Sequence, residues 1–161
     1  MSALVPFADF RGTESYRLSA DLADVSRSRA LTWSEPGEAD QDELFLTKLG
    51  VRGWGRLHHF RLLYQAGWGD GKGMPASPRA IQALVDFLKN FTLPVGVTPS
   101  LFLTDRGGLE LAWEERDGAP VQVEFHRNGI EVYRETTGVE SELTLDQGAA
   151  AASLLATTAA T

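Results

Sequence analysis

Leu109-Glu110-Leu111-Ala112-Trp113 and Val121-Gln122-Val123-Glu124-Phe125 decide the fold class. In both runs apolar residues alternate with polar or small ones, the period-2 signature of a strand with one face buried. Asp105-Arg106-Gly107-Gly108, Asp117-Gly118 and Asn128-Gly129 separate consecutive runs, and the last two pairs favour tight hairpins. Strands are therefore expected near 100–104, 109–115, 120–126 and 130–135, with Leu143-Thr144-Leu145 as a candidate extension. The arrangement is an antiparallel β-meander of four to five strands, and its apolar face needs a cover.

Upstream, the period changes to that of a helix. Ile81, Leu84, Val85, Leu88 and Phe91 form one apolar stripe. Ser77 stands as the expected N-cap, Pro78 at the first helical position and Pro94 beyond the end. A second helix is expected from Trp54, with Leu57, Phe60, Leu63 and Tyr64 on one face and Gly67 closing it. Gln147 to Leu155 reads as a short Ala-rich helix before a frayed end. The fold class is α+β, with the meander packed against one or two helices.

Three regions follow from this reading: 1–47 as an N-terminal extension, 48–147 as the α+β core, and 148–161 as a short helix or frayed tail. Within the extension, Leu4, Val5, Phe7 and Phe10 form a small apolar cluster. Ser34 to Glu43 is acidic, holds a Pro-Gly turn and reads as an exposed loop.

The 161 residues fit one domain on a prior of ~100–200 residues per domain. There is no cysteine, which excludes disulfides, zinc ribbons and thiol catalysis. No apolar run reaches the ~20 residues that span a bilayer, and the Met1 to Val5 start lacks a basic leader region. A cytoplasmic, non-membrane protein is expected. The formal charge is -7, but it is unevenly spread. Residues 48–79 hold six basic groups and one acidic group, whereas 98–146 hold four basic and eleven acidic. Such a chain either pairs its charges internally or presents faces of opposite sign.

No catalytic constellation emerges. The glycine-dense loop Gly67 to Gly73 lacks the spacing of a P-loop, because Lys72 is followed by Gly73, Met74 and Pro75. It reads as a structural turn in which Trp68 fills the gap between two helices, Asp70 bonds the turn's own N–H groups, and Gly71 and Gly73 permit positive φ. Adjacent His58 and His59 diverge by about 100° on a helix and cannot chelate one ion, so no metal and no cofactor are expected. Glu110, Glu114, Glu115, Asp117, Glu124, Glu131 and Glu135 are carboxylates of the sheet; Glu110 and Glu124 belong on its polar face, and on an open face such groups read as solvated.

Leu63-Tyr64-Gln65-Ala66-Gly67-Trp68-Gly69-Asp70-Gly71-Lys72-Gly73, with Pro75, Ser77 and the apolar helix, resembles a Trp-Asp-Gly-type loop found in a family of small bacterial and phage proteins. In that family the helix leads, through Pro, to a Thr-x-x-Gly-Gly turn and an alternating strand ending in Trp. Here Thr104-Asp105-Arg106-Gly107-Gly108 and Leu109 to Trp113 occupy those places, and Gly69 is inserted between Trp68 and Asp70. The resemblance covers residues 60–135. It implies a helix-plus-sheet core, no known enzymatic activity, and a place among accessory proteins of mobile or defence-related gene sets.

The expected function is that of a non-enzymatic protein-binding module, inhibitor- or antitoxin-like or immunity-like, acting by stoichiometric binding. Trp33 and Trp54 lack a core assignment, Arg52, Arg56 and Arg61 supply positive charge, and Glu110 and Glu124 supply an acidic sheet that would steer a basic partner. Nucleic-acid binding through the basic residues 48–79 is the first alternative. A ligand or hydrolytic site at Trp68, Asp70 and Lys72 is the second. An exposed edge strand at 100–104 or 130–135 would also allow a homodimer.

Overall fold

The computed structural model describes residues 38–156. Trp33 and the apolar cluster Leu4 to Phe10 lie outside them. The order is α1 (Glu38–Leu63), a single turn α2 (Trp68–Gly71), α3 (Pro78–Asn90), five strands, a 3₁₀ turn (Leu145–Gln147) and α4 (Gly148–Ala156). The strands are β1 (Ser100–Leu103), β2 (Leu109–Glu114), β3 (Pro120–Phe125), β4 (Ile130–Arg134) and β5 (Val139–Leu143). Each strand pairs antiparallel with its sequence neighbour, giving the sheet order β1-β2-β3-β4-β5. The α+β meander expected from the alternating runs is what the chain forms.

Register explains which side chains enter the core. Directly opposed residues share a sheet face. Leu103, Leu109, Phe125, Ile130 and Leu143 make one row across all five strands; Leu101, Leu111, Val123, Val132 and Ser141 make the next. Trp113, Val121, Arg134 and Val139 make a third on the same face. α3 lies over this face, burying Ile81, Leu84, Val85, Phe87 and Leu88. α4 packs on α3 and β4. Phe87 meets Phe125 edge-on at 5.4 Å, and Phe91 stacks 5.5 Å from Trp113.

Several boundaries depart from the sequence reading. The acidic residues after Gly37 begin α1 instead of an exposed loop. Asp40, Asp42 and Glu43 sit in its opening turns, where negative charge meets the unpaired N–H groups of a helix start. The boundary at 47 therefore falls inside a helix whose Phe45 and Leu49 are buried in the core. α4 likewise belongs to the core, through Ala151, Ala152 and Leu155. Leu63 is 65% exposed, so the helical stripe from Trp54 contributes Leu57 and Phe60 alone to the buried set.

α1 is two helical arms joined at Gly50, whose φ of 69° and ψ of 179° are not helical. His58 Nε2 lies 3.0 Å from Asp42 Oδ1. In one continuous helix, sixteen residues would separate them by about 24 Å. Arg61 Nη2 likewise reaches Gln41 Oε1 at 3.4 Å. The arms thus fold back on each other, and Lys48 Nζ ties the first arm to α3's end by donating to Phe91 O at 2.8 Å.

Ser77 precedes α3 with Pro78 at its first position, but its hydroxyl makes no capping bond. Its backbone is held instead, N–H donating to Gly107 O at 2.8 Å and C=O accepting from Ile81 N at 3.0 Å. The fifth strand is Val139–Leu143, not Leu143–Leu145, because Gly138 (φ 62°) closes a turn with its N–H on Glu135 O. β4 is therefore internal, and the sheet edges are β1 and β5.

Candidate interaction face

The face of the sheet opposite the core rows carries two rows of its own. One runs Phe102, Glu110, Glu124, Glu131 and Glu142 across the five strands. The other runs Ser100, Ala112, Gln122, Tyr133 and Glu140. Four glutamates thus stand on adjacent strands as successive Cα partners. Like charges directly opposite destabilise a sheet by roughly 0.2–1 kcal/mol per pair. The row contains three such pairs, and Glu140 adds a fifth carboxylate in the row beside it.

Little positive charge offsets them. Among the described residues no Lys or Arg forms an ion pair with any of the five; His126 Nε2 lies 3.4 Å from Glu131 Oε1. Burial raises the Glu124 carboxyl above the ordinary glutamate range, and the charges of Glu131 and Glu110 push the same way. His126 and Arg106 oppose that shift. Glu110 and Glu124 are half-buried, not freely solvated as the sequence reading has it. A shallow groove of about 450 Å³ crosses this face, lined by the glutamates, Gln122 and Tyr133. Phe102 is 42% exposed and Tyr133 40% exposed. The surface therefore offers carboxylates and aromatic rings together, a combination suited to Lys and Arg side chains.

The remaining sequence candidates divide. Arg52 and Arg56 are exposed and four residues apart, on one helical face. Arg56 lies over the Phe60 and Phe102 rings, 5.4 and 5.3 Å from their centroids. Arg61 points elsewhere and contacts Gln41, and Lys48 is committed to Phe91 and Thr92. The basic residues of 48–79 thus share no single stripe. Gly53 and Gly55 lie within the helix. Trp54 is half-buried at the core margin with its ring edge-on to His58 at 4.6 Å, which gives it a packing assignment.

At Trp68 the loop closes on itself. Trp68 Nε1 donates to Met74 O at 2.7 Å, Gly73 N to Trp68 O at 2.7 Å, and Gly67 N to Gly73 O at 2.8 Å. A side chain at Gly73 would collide with the Trp68 ring, so the close approach requires glycine there. Trp68 is half-buried against Tyr64, at 4.9 Å between centroids. Asp70 takes φ 58° and makes no bond to the turn; backbone groups perform the role expected of it. Gly71 has φ 83°, whereas Gly73 is not in the left-handed region. Asp70 and Lys72 are exposed, and neither lines the groove on the sheet.

A second cleft, of about 830 Å³, opens between the end of α3 and the β2–β3 turn, with Phe91, Val97, Trp113 and Leu155 among its walls. At its side Arg134, 7% exposed, is fully engaged. Its Nε and Nη2 donate to the two oxygens of Glu115, at 3.2 and 2.5 Å, and its Nη1 to Leu155 O at 3.3 Å. The Arg134 bonds hold the Glu115 carboxyl below the ordinary glutamate range, with the Thr136 hydroxyl adding to them. Glu115 is therefore not a solvated sheet carboxylate. It shares parity with Leu111 and Trp113, a signal visible in the sequence, and Arg134 shares parity with Ile130 and Val132.

Among the described residues no cluster of three or more His, Asp or Glu side chains is placed to hold a metal ion, and no helix is long and apolar enough to cross a membrane. No family model matches the chain, and no curated protein or solved structure matches it.

Proposed function

We propose that the chain is a non-enzymatic protein-binding module that receives a basic partner protein on the open face of its sheet. The observation that carries this reading is the row Glu110, Glu124, Glu131 and Glu142, with Phe102 at its end and Tyr133 beside it, unpaired by Lys or Arg among the described residues. Carboxylates held side by side at a cost in stability gain most from a cationic surface laid across them. The exposed Phe102 and Tyr133 supply apolar contact, and Tyr133 a face for cations. Stoichiometric binding of this kind suits an inhibitor or an immunity-like accessory protein, the context that the resemblance across residues 60–135 implies.

Nucleic-acid binding has narrower support. Arg52 and Arg56 are its available cations, and Arg56 already lies over Phe102, which stands opposite Glu110. A phosphate backbone approaching there would meet the acidic row.

The test is affinity capture of the tagged full chain from its host cells with nuclease present, beside a Glu110→Lys/Glu124→Lys variant. The expected result is one stoichiometric basic protein, retained by the wild type, lost with the variant and released by raised salt. Equal retention by both chains would overturn the acidic-face reading. Nucleic acid recovered without nuclease, and lost on Arg52→Ala/Arg56→Ala, would replace it with the alternative.

A further inference from the structure

Resting on that reading, we propose that the partner engages the chain by adding a strand to the free edge of β5, and that this strand alternates apolar with Lys or Arg residues. β5 is hydrogen-bonded on one side, to β4, and among the described residues no element pairs with its other side. The opposite edge differs, since Arg56 of α1 lies over Phe102 of β1. An unpaired strand edge offers a line of N–H and C=O groups to any extended segment, and the side chains beside it select which segment pairs.

Those side chains specify both faces of the incoming strand. Val139 and Leu143 are partly buried and pack at the margin of the core, so the core rows end at β5 with apolar surface still half open. Apolar residues of an added strand would continue the rows Leu103 to Leu143 and Trp113 to Val139. Glu140 and Glu142 are exposed on the other face, where they end the two polar rows. Lys or Arg directly opposite them would give each glutamate an attractive partner, and would offset the repulsion between Glu142 and Glu131.

The same residues disfavour a second copy as the occupant. Antiparallel pairing of two β5 strands centred on Ser141 would set Glu140 of each against Glu142 of the other, adding two like-charge contacts. The charge at this edge guards against self-association and leaves it open to a basic strand.

The experiment uses the full-length chain labelled with nitrogen-15 and a blocked ten-residue peptide alternating Lys with Val and Thr. A matched peptide carrying Glu in place of Lys serves as the control. The Lys peptide is expected to bind, to slow hydrogen exchange of amides in residues 139–143, and to bind about tenfold more weakly to Glu140→Lys/Glu142→Lys. That variant, with Glu142→Lys relieving the contact with Glu131, is expected to keep the wild-type circular dichroism and to take the Glu peptide instead. Binding that perturbs β2 and β3 amides but leaves 139–143 unchanged would overturn the edge proposal while leaving the open face as the binding surface. Equal binding of both peptides, or no binding of the Lys peptide, would also overturn it; the face reading then rests on the capture experiment with Glu110 and Glu124.

Discussion

Gly50 shows how one residue sets the course of a long segment. At φ 69° and ψ 179° it occupies a region that residues with a Cβ avoid, although no atom lies within 4 Å of where a Cβ would stand. The cost of replacing it is therefore backbone strain and not collision. Gly50→Ala is expected to destabilise the chain by about 1–3 kcal/mol, read from the urea midpoint at an unchanged slope. Glu124 makes the opposite case, a side chain that weakens its own fold. Its raised pKa means that the native state keeps the proton to higher pH than the unfolded chain does. The stability this proton confers is fully present below the ordinary glutamate pKa and is lost as pH rises through the raised value. Glu124→Gln is thus expected to gain about 0.5 kcal/mol at pH 7, with the gain shrinking as pH falls through that window. A denaturation series across pH checks both the sign and the window.

Among the elements, the β2–β3 turn, β4 and α4 are joined by the Glu115–Arg134 pair, and that contact dominates their local energetics. Removing one partner of a buried ion pair leaves an uncompensated charge, so Glu115→Ala is expected to lower stability by about 3 kcal/mol. Because the Glu115 pKa is lowered, its contribution is present above the ordinary glutamate pKa and lost as pH falls through the lowered value. An acid titration of wild type and variant should converge there. The strands themselves were legible in the sequence because period-2 alternation reports directly on which face is buried. Leu109 to Trp113 and Val121 to Phe125 needed no tertiary information. The Glu115–Arg134 pair was only half legible. Parity places both residues on the core face, but the residue type argues for solvent, and nothing local says that two opposite charges will meet. α1 was hidden for a different reason. Its amphipathic pattern is split by the reversal at Gly50, so Phe45 and Leu49 on one arm and Leu57 and Phe60 on the other never form one stripe. The acidic row was hidden by register: Glu131 and Glu142 join Glu110 and Glu124 only once the turn lengths align the four strands.

Across the whole molecule, an acidic sheet face and a net charge of -7 act against compactness. Added salt screens exposed like charges within a Debye length of about 10 Å at 0.1 M. The melting temperature is therefore expected to rise between about 0.05 and 0.5 M NaCl, where screening strengthens most. A fall instead would mean that attractive pairs such as Glu115–Arg134 outweigh the glutamate row. The unbroken order of the meander has a kinetic consequence. Every strand pairs with its chain neighbour, so no sheet contact waits on the closure of a long loop. Each hairpin can form locally, and the longest-range bonds, such as Lys48 to Phe91, need only dock the first arm of α1 onto the end of α3. Refolding by dilution from urea should then run on the order of milliseconds, faster than in sandwiches whose strands pair across the chain.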